Sequence, residues 1–317
     1  MIRAALCAVL LMGSASLAGA EPFLLALPVD CTLGETCYIQ QYVDHDPGPG
    51  TRDFTCGGLS YDGHKGTDFG LPTHAAMARG VNVLAAAPGI VGGIRDGMED
   101  RLFAGEDLGG RDCGNGVVLR HADGWESQYC HLQKGSVQVR SGQVVEAGAV
   151  LGRVGLSGRT QFPHLHLSLR HEGAVVDPFA PDGAEACGSD RTLWITRLNY
   201  TPGGLLDIGF APGVPDFDAV QAGTADRIPP DRHSALVGFA LAFGGQKGDV
   251  VEIAIDGPAG EVITTNIEID RAQASFFRAA GRKRQAEGWP AGDYVLTVRF
   301  LRDGAVVDSR FERIELQ

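Results

Sequence analysis

"GRTQFPHLHLSLR", residues 158–170, reads as a β-strand entered through a turn. Leu165, Leu167 and Leu169 alternate with His164, His166 and Ser168. A period of two places the leucines on one face and both imidazoles on the other. A face of that kind is either polar surface or a metal site. An isolated His-x-His does not decide between them, so the flanking sequence must.

Upstream, short β-type runs alternate with turn signals: "NVLAAAPGIVGGI", "GVVLRH", "ESQYCHL" and "AVLGRVG". Turns fall at Asp123-Gly124, Ser141-Gly142 and Ala147-Gly148. This spacing predicts an antiparallel, all-β domain over residues 56–187. One stretch interrupts it. "RDGMEDRLFAGEDLGGRD", 95–112, is charged and Gly-rich, and is expected to be a long loop of the kind that often serves function. Residues 21–55, with "DHDPGPGTRD", read as an irregular N-terminal arm. Beyond Cys187 the cysteines stop, and seven β-type runs follow: "LWITRL", "LLDIGFA", "ALVGFALAF", "DVVEIAID", "GEVITTNIEI", "DYVLTVRFL" and "AVVDSRFERIEL". They predict an immunoglobulin-like β-sandwich over 188–317. That part holds one histidine, His233, and no chemical motif.

"MIRAALCAVLLMGSASLAGA", residues 1–20, has Arg3, an apolar run and a small-residue end. It reads as a signal peptide with an A-x-A cleavage site, too short to span a bilayer. Cys7 lies inside the apolar run, away from the cleavage point, which argues against a lipid anchor. A periplasmic or secreted protein without a membrane span is expected. The formal net charge of −12 argues against nucleic acid and anionic membranes as partners.

Six cysteines follow the signal peptide. An even number in an exported chain suggests disulfides, with fifteen possible connectivities. Cys31 and Cys37 flank the turn "TLGET", and Cys113 and Cys130 bracket a hairpin turning at Asp123-Gly124. Elimination leaves Cys56 with Cys187. The competing reading, a zinc–cysteine site, lacks a CxxC pair.

Of nine histidines, four fall into three suggestive stretches. "GHKGTDFG" holds His64 and Asp68, "SQYCHL" ends at His131, and "HLHL" gives His164 and His166. Catalytic zinc takes three protein ligands and keeps one position open. His64, Asp68 and His166 would supply two imidazoles and a carboxylate. His131 and His164 would then stay free for proton transfer beside the metal. His74 and His171 read as surface residues, His121 as structural and Tyr129 as core. Arg159 and Thr160 are candidate substrate contacts. Asp44, His45 and Asp46 are placed to reach a zinc ion in a latent form, against the simpler reading of a packed arm.

With these motifs in this order, residues 58–179 resemble the lysostaphin/LytM-type zinc endopeptidases of metallopeptidase family 23. "VNVLAAAPGIV", "GNGVVLRHADGWESQYCHL" and "GQVVEAGAVLGRVGLSGRTQFPHLHLSLRHEGAVVDPF" carry the likeness along with the histidines. The resemblance implies a LytM-like catalytic domain that cuts peptide bonds of bacterial peptidoglycan. It implies Zn²⁺ held by His64, Asp68 and His166, with His131 and His164 catalytic. The 95–112 insertion, the disulfides and "LSLR" after the His-x-His depart from the family pattern without removing a site residue. The alternative is a non-catalytic relative that binds peptidoglycan or activates a partner hydrolase.

Overall fold

The computed structural model describes residues 22–317, so the signal peptide expected over 1–20 lies outside the described residues. The first half of the chain builds one main antiparallel sheet. Its strands are β1 (Tyr38–Gln41), β2 (Thr67–Gly70), β4 (Gly89–Arg95), β5 (Asn115–Arg120), β6 (Trp125–Leu132), β7 (Val144–Val145), β9 (His164–His171) and β10 (Ala174–Val175). The order across the sheet is β1-β2-β9-β6-β5-β4-β7, with β10 on β9. Strands β3 (Asn82–Leu84) and β8 (Val150–Arg153) pair separately. The run "NVLAAAPGIVGGI" is thus two strands in two sheets, broken at Pro88, whose missing N–H cannot extend a ladder.

The leucine face of β9 is buried as its period demands: Leu165, Leu167 and Leu169 are 0–1% exposed. They join Phe69, Val117, Leu119 and Tyr129 in a core that also takes Leu25, Val29, Ile39 and Tyr42 from the arm. The hairpin between β5 and β6 turns through Asp123 and Gly124, at φ 53° and 76°, the left-handed pair that a tight hairpin requires. The loop expected over 95–112 is present as residues 96–114, between β4 and β5.

The second half packs two sheets face to face. One contains β11 (Gly204–Ala211), β12 (Leu236–Gly245) and β15 (Gln273–Arg282); the other contains β13 (Val250–Gly257), β14 (Gly260–Glu268), β16 (Gly292–Arg302) and β17 (Ala305–Leu316). Their orders are β11-β12-β15 and β14-β13-β16-β17. Phe210, Ala240 and Phe276 meet Val251, Ile253, Leu296 and Phe300 in the shared core. This is a two-sheet antiparallel β-sandwich, consistent with the immunoglobulin-like type expected. The strands differ in one respect. "LWITRL" is no strand: Leu193 and Trp194 plug the first core, and Leu25 and Ile195 exchange single bonds with 193 and 25. β15 takes its place in the count. Its "QASFFRAAGR" lacks clean alternation, and pairing with β12 along its length defines it.

Two short helices join the halves. α1 (His74–Ala78) is capped by Thr73, whose hydroxyl accepts from the Ala76 amide. α2 (Phe217–Ala222) ends at Gly223, at φ 69°, where a β-carbon would lie 2.7 Å from Thr73 Oγ1. Only glycine meets both the backbone and the contact.

Near this joint, burial and the Asp226 carboxylate push Asp207 of β11 up to about 6. The unfolded value is about 3.9, so the folded state binds more protons between about pH 4 and 6. Stability therefore falls as pH rises through that window. Asp207→Asn is expected to add about 1–2 kcal/mol at pH 7, after discounting for partial exposure, and almost nothing at pH 4. Urea unfolding at the two pH values checks this.

Candidate metal centre

Asp68 on β2, His166 on β9 and Cys130 on β6 are direct cross-strand partners. The register therefore places the Asp68 carboxylate and the His166 ring on one face. His64 comes from the loop before β2, four residues ahead of Asp68. His64 Nε2, Asp68 Oδ1 and His166 Nδ1 converge, at 3.2 Å for His64–Asp68, 3.1 Å for His64–His166 and 2.7 Å for His166–Asp68.

The protons on these rings are fixed from outside. His64 Nδ1–H donates to the Tyr42 carbonyl at 2.7 Å. Ser168 Oγ–H donates to the Lys65 carbonyl, so it accepts from His166 Nε2–H at 3.0 Å. Both remaining ring nitrogens, His64 Nε2 and His166 Nδ1, carry lone pairs, and they face each other beside a carboxylate. That arrangement repels itself unless a proton or a metal cation lies between. Tetrahedral zinc with bonds of about 2.0–2.1 Å sets its ligand atoms about 3.3 Å apart, close to these separations. Two nitrogens and one oxygen also suit zinc chemically. The residues fit the ion, and the carbonyl and hydroxyl partners are the outer supports such sites use.

His131 and His164 stand beside this cluster, with ring centroids 4.6 Å apart. His164 Nε2 lies 3.5 Å from Asp68 Oδ1. Its Nδ1–H donates to the Phe162 carbonyl at 2.9 Å, and the Phe162 ring stacks on it at 4.2 Å. His131 Nδ1–H donates to the Ser157 carbonyl at 2.7 Å. Both rings thus turn an unprotonated Nε2 away from their anchors.

Regular alternation would put His131 on the buried face with Tyr129. His131 instead sits at φ 63°, a left-handed conformation that costs about 1–3 kcal/mol in a non-glycine residue. The kink turns its ring out of the core while Tyr129 stays fully buried, its hydroxyl accepting from the Ala86 amide. The Cys113–Cys130 disulfide and the bond from His131 N to the Cys113 carbonyl, 2.8 Å, hold that conformation. Should this site hold a metal and hydrolyse peptide bonds, replacing both cysteines with alanine is expected to cut that hydrolysis about 10- to 100-fold through misplacement of His131, with metal content and circular dichroism unchanged. Simultaneous loss of activity and fold would contradict it.

Charge is distributed to match. Burial alone would raise Asp68, but the His64, His164 and His166 rings outweigh it and hold its carboxyl well below the usual range. Burial is also overcome at His64, which Asp68 raises above its ordinary value. Burial dominates at His131, pushing it well down with help from His164 and His166, and it lowers His164 as well. The two outer imidazoles are therefore neutral near neutral pH.

The other expectations sort clearly. All three disulfides have the pairing read from the sequence: Cys31–Cys37, Cys56–Cys187 and Cys113–Cys130. Thr160 is buried and lies 3.1 Å from His164 Nδ1, so it supports that ring rather than reaching outward. Arg159 is exposed on the rim, bonded to Asp112 and lying over Phe103 of the 95–112 loop. His45 Nε2 pairs with Asp177 at 2.7 Å and stays out of the cluster, as do Asp44 and Asp46. His121 bridges the Pro88 carbonyl and the Ser127 hydroxyl, a structural role. His74, the first residue of α1, and His171, against Trp125, are half-buried rather than fully on the surface as expected. Sequence reasoning missed Tyr61, whose half-exposed ring lies 4.3 Å from that of His64. It also missed Gln41, opposite Asp68 in register, with its buried Oε1 lacking a partner.

An antiparallel sheet bearing a converging His/Asp/His set, with two further imidazoles beside it, defines a β-protein with a candidate metal-binding face. Comparison with known proteins narrows the class: residues 62–178 match the model of Peptidase family M23. Over 115 residues the chain is 36% identical to the DD-carboxypeptidase/endopeptidase Mpg of Neisseria meningitidis, covering 36% of this chain and 22% of that protein. It is 33% identical over 115 residues to the cell division protein DipM of Caulobacter vibrioides, covering 36% and 18%. It is 31% identical over 121 residues to the murein hydrolase activator NlpD of Escherichia coli, covering 38% and 26%. The chain thus spans about a fifth to a quarter of the length of these relatives.

Proposed function

We propose that this protein is an exported zinc endopeptidase that hydrolyses peptide bonds in the cross-links or stem peptides of bacterial peptidoglycan. The observation that carries the reading is the convergence of five side chains: three with lone pairs or charge aimed at one point, and two neutral imidazoles beside it. His64, Asp68 and His166 would hold the zinc, which when bound lowers the pKa of water and polarises a carbonyl. His164 Nε2 accepts the water proton, since Nδ1 is committed to Phe162. The proton held on His164 would then pass, directly or through the neighbouring Nε2 of His131, to the leaving amine, and His131 carrying that proton would donate to the oxyanion on the way. The disulfides support an oxidising, exported setting, and among the described residues no helix is long and apolar enough to cross a membrane.

The likeness to NlpD favours a second reading, activation of a partner hydrolase. Retention of all five side chains favours chemistry over it. Purified sacculi digested with the zinc-loaded mature protein are expected to release new amine ends. A chelator should stop the release and added zinc restore it. If no chelator-sensitive amine ends form, the activator reading replaces this one.

A further inference from the structure

The sandwich is docked against the face of the sheet that carries His164. Tyr38, Gly70 and His164 are cross-strand partners on β1, β2 and β9, so Tyr38 and His164 share that face. Gly70 has no side chain, and the Tyr38 ring lies over it: a β-carbon there would be 2.7 Å from the ring. The same ring packs on Phe243 of β12 at 4.6 Å. Through Tyr38 the second half of the molecule reaches the neighbourhood of the candidate catalytic histidine.

Between the two halves lies a cavity of about 200 Å³. On one side are Gln161, Phe162 and Pro163, the segment that delivers His164; on the other are Phe217 and Gln221 of α2 and Ser275 of β15. Phe162 is shared, since its ring forms the cavity wall and stacks on His164. Among its lining residues there is no Asp, Glu, Lys or Arg, and the one imidazole, His74, is lowered by burial. It is smaller than the about 300–1,000 Å³ of sites for drug-sized ligands, and matches one or two small residues. The other end of the site differs. Beyond His64 and Lys65 lies a 510 Å³ cavity bordered by Asp44, Asp46, Asp62 and Asp177. Residues 161–163 precede β9, and 64–65 lie before β2, which runs antiparallel to it. The two cavities therefore flank the histidine cluster at opposite ends of the strand axis.

We propose that the β-sandwich supplies one wall of the substrate cleft, with Phe217, Gln221 and Ser275 facing Phe162 to form the subsite for an uncharged peptide residue next to the scissile bond. This rests on the endopeptidase reading and adds a specificity role for the second half of the chain. The aromatic faces bury the residue's apolar surface. The Gln221 amide and Ser275 hydroxyl offer donors and acceptors to its backbone, and a charged side chain would be desolvated there without a partner.

The test uses the full mature chain loaded with zinc and two fluorescent peptides that differ only in alanine or glutamate at this position. Affinities are read on the His131→Ala protein, whose changed residue does not line the cavity, and hydrolysis on the protein with His131 intact. Gln221→Lys is expected to shift the affinity ratio toward the glutamate peptide by tenfold or more. Ser275→Trp is expected to weaken the alanine peptide at least tenfold while leaving a truncated peptide lacking that residue within twofold. Unchanged ratios in variants with unaltered melting temperature overturn the subsite. So does a rise in hydrolysis in Phe217→Ala, which would make the sandwich a cover rather than a wall. Peptide binding with the expected ratios but no hydrolysis would overturn the endopeptidase reading alone.

Discussion

His166→Ala is expected to lose both zinc and hydrolysis, whereas His164→Ala keeps one zinc per chain and loses about 10²–10⁴-fold in rate. The two rings lie two residues apart on one strand face, so the contrast isolates role from position. His166 has its Nε2 tied to Ser168 and its Nδ1 aimed at His64 and Asp68. Removing it leaves a carboxylate and one imidazole, too few for a catalytic zinc site. His164 instead presents its Nε2 to the side of the cluster. Its loss removes a base and opens space for water, but leaves the three donor atoms in place. Metal content by emission spectroscopy, with kcat measured on the same samples, checks both halves. If His164→Ala also loses zinc, the division between the two histidines is wrong.

The second large effect concerns the Cys56–Cys187 disulfide. It closes a loop over a sequence separation of 131, from the connection between β1 and β2 to beyond β10. For a loop of that length the chain-entropy estimate is about 5 kcal/mol, and measured values for disulfides run about 2–4. Both half-cystines sit in left-handed backbone, at φ 63° and 55°, so part of the gain offsets local strain. Cys56→Ser/Cys187→Ser is therefore expected to lose about 2–4 kcal/mol, read as a lower urea midpoint. The Cys31–Cys37 pair spans a separation of only 6 and should matter far less.

Much of this molecule is legible in its sequence because its signals are local. Alternation of leucine and histidine set the faces of β9, and the Asp123-Gly124 turn set the hairpin that carries His131. Short loops around paired cysteines gave two disulfides, and the third followed. What escaped is what depends on partners distant in sequence. β15 lacks a pattern of its own, and Trp194 looks like a strand residue until the arm and first core receive it. The left-handed backbone at His131 is invisible to a period-two reading. Tyr61, Gln41 and Tyr38 gain meaning only from the register that brings β1 and the loop before β2 to the histidines. The role of the sandwich was likewise out of reach, since its contribution is a wall shared with another part of the chain.

The joining of Asp68 to His166 also bears on the order of assembly. His64 and Asp68 are neighbours as soon as they are synthesised, but their third companion comes 98 residues later. Two donors four residues apart grip a metal weakly, and the third arrives only when β9 has slotted between β2 and β6. A nascent or truncated chain ending before residue 166 would therefore carry no competent centre. Under the proposed function, capture of the ion would mark completion of the sheet, and a half-made protein would be kept from acting on the material around it.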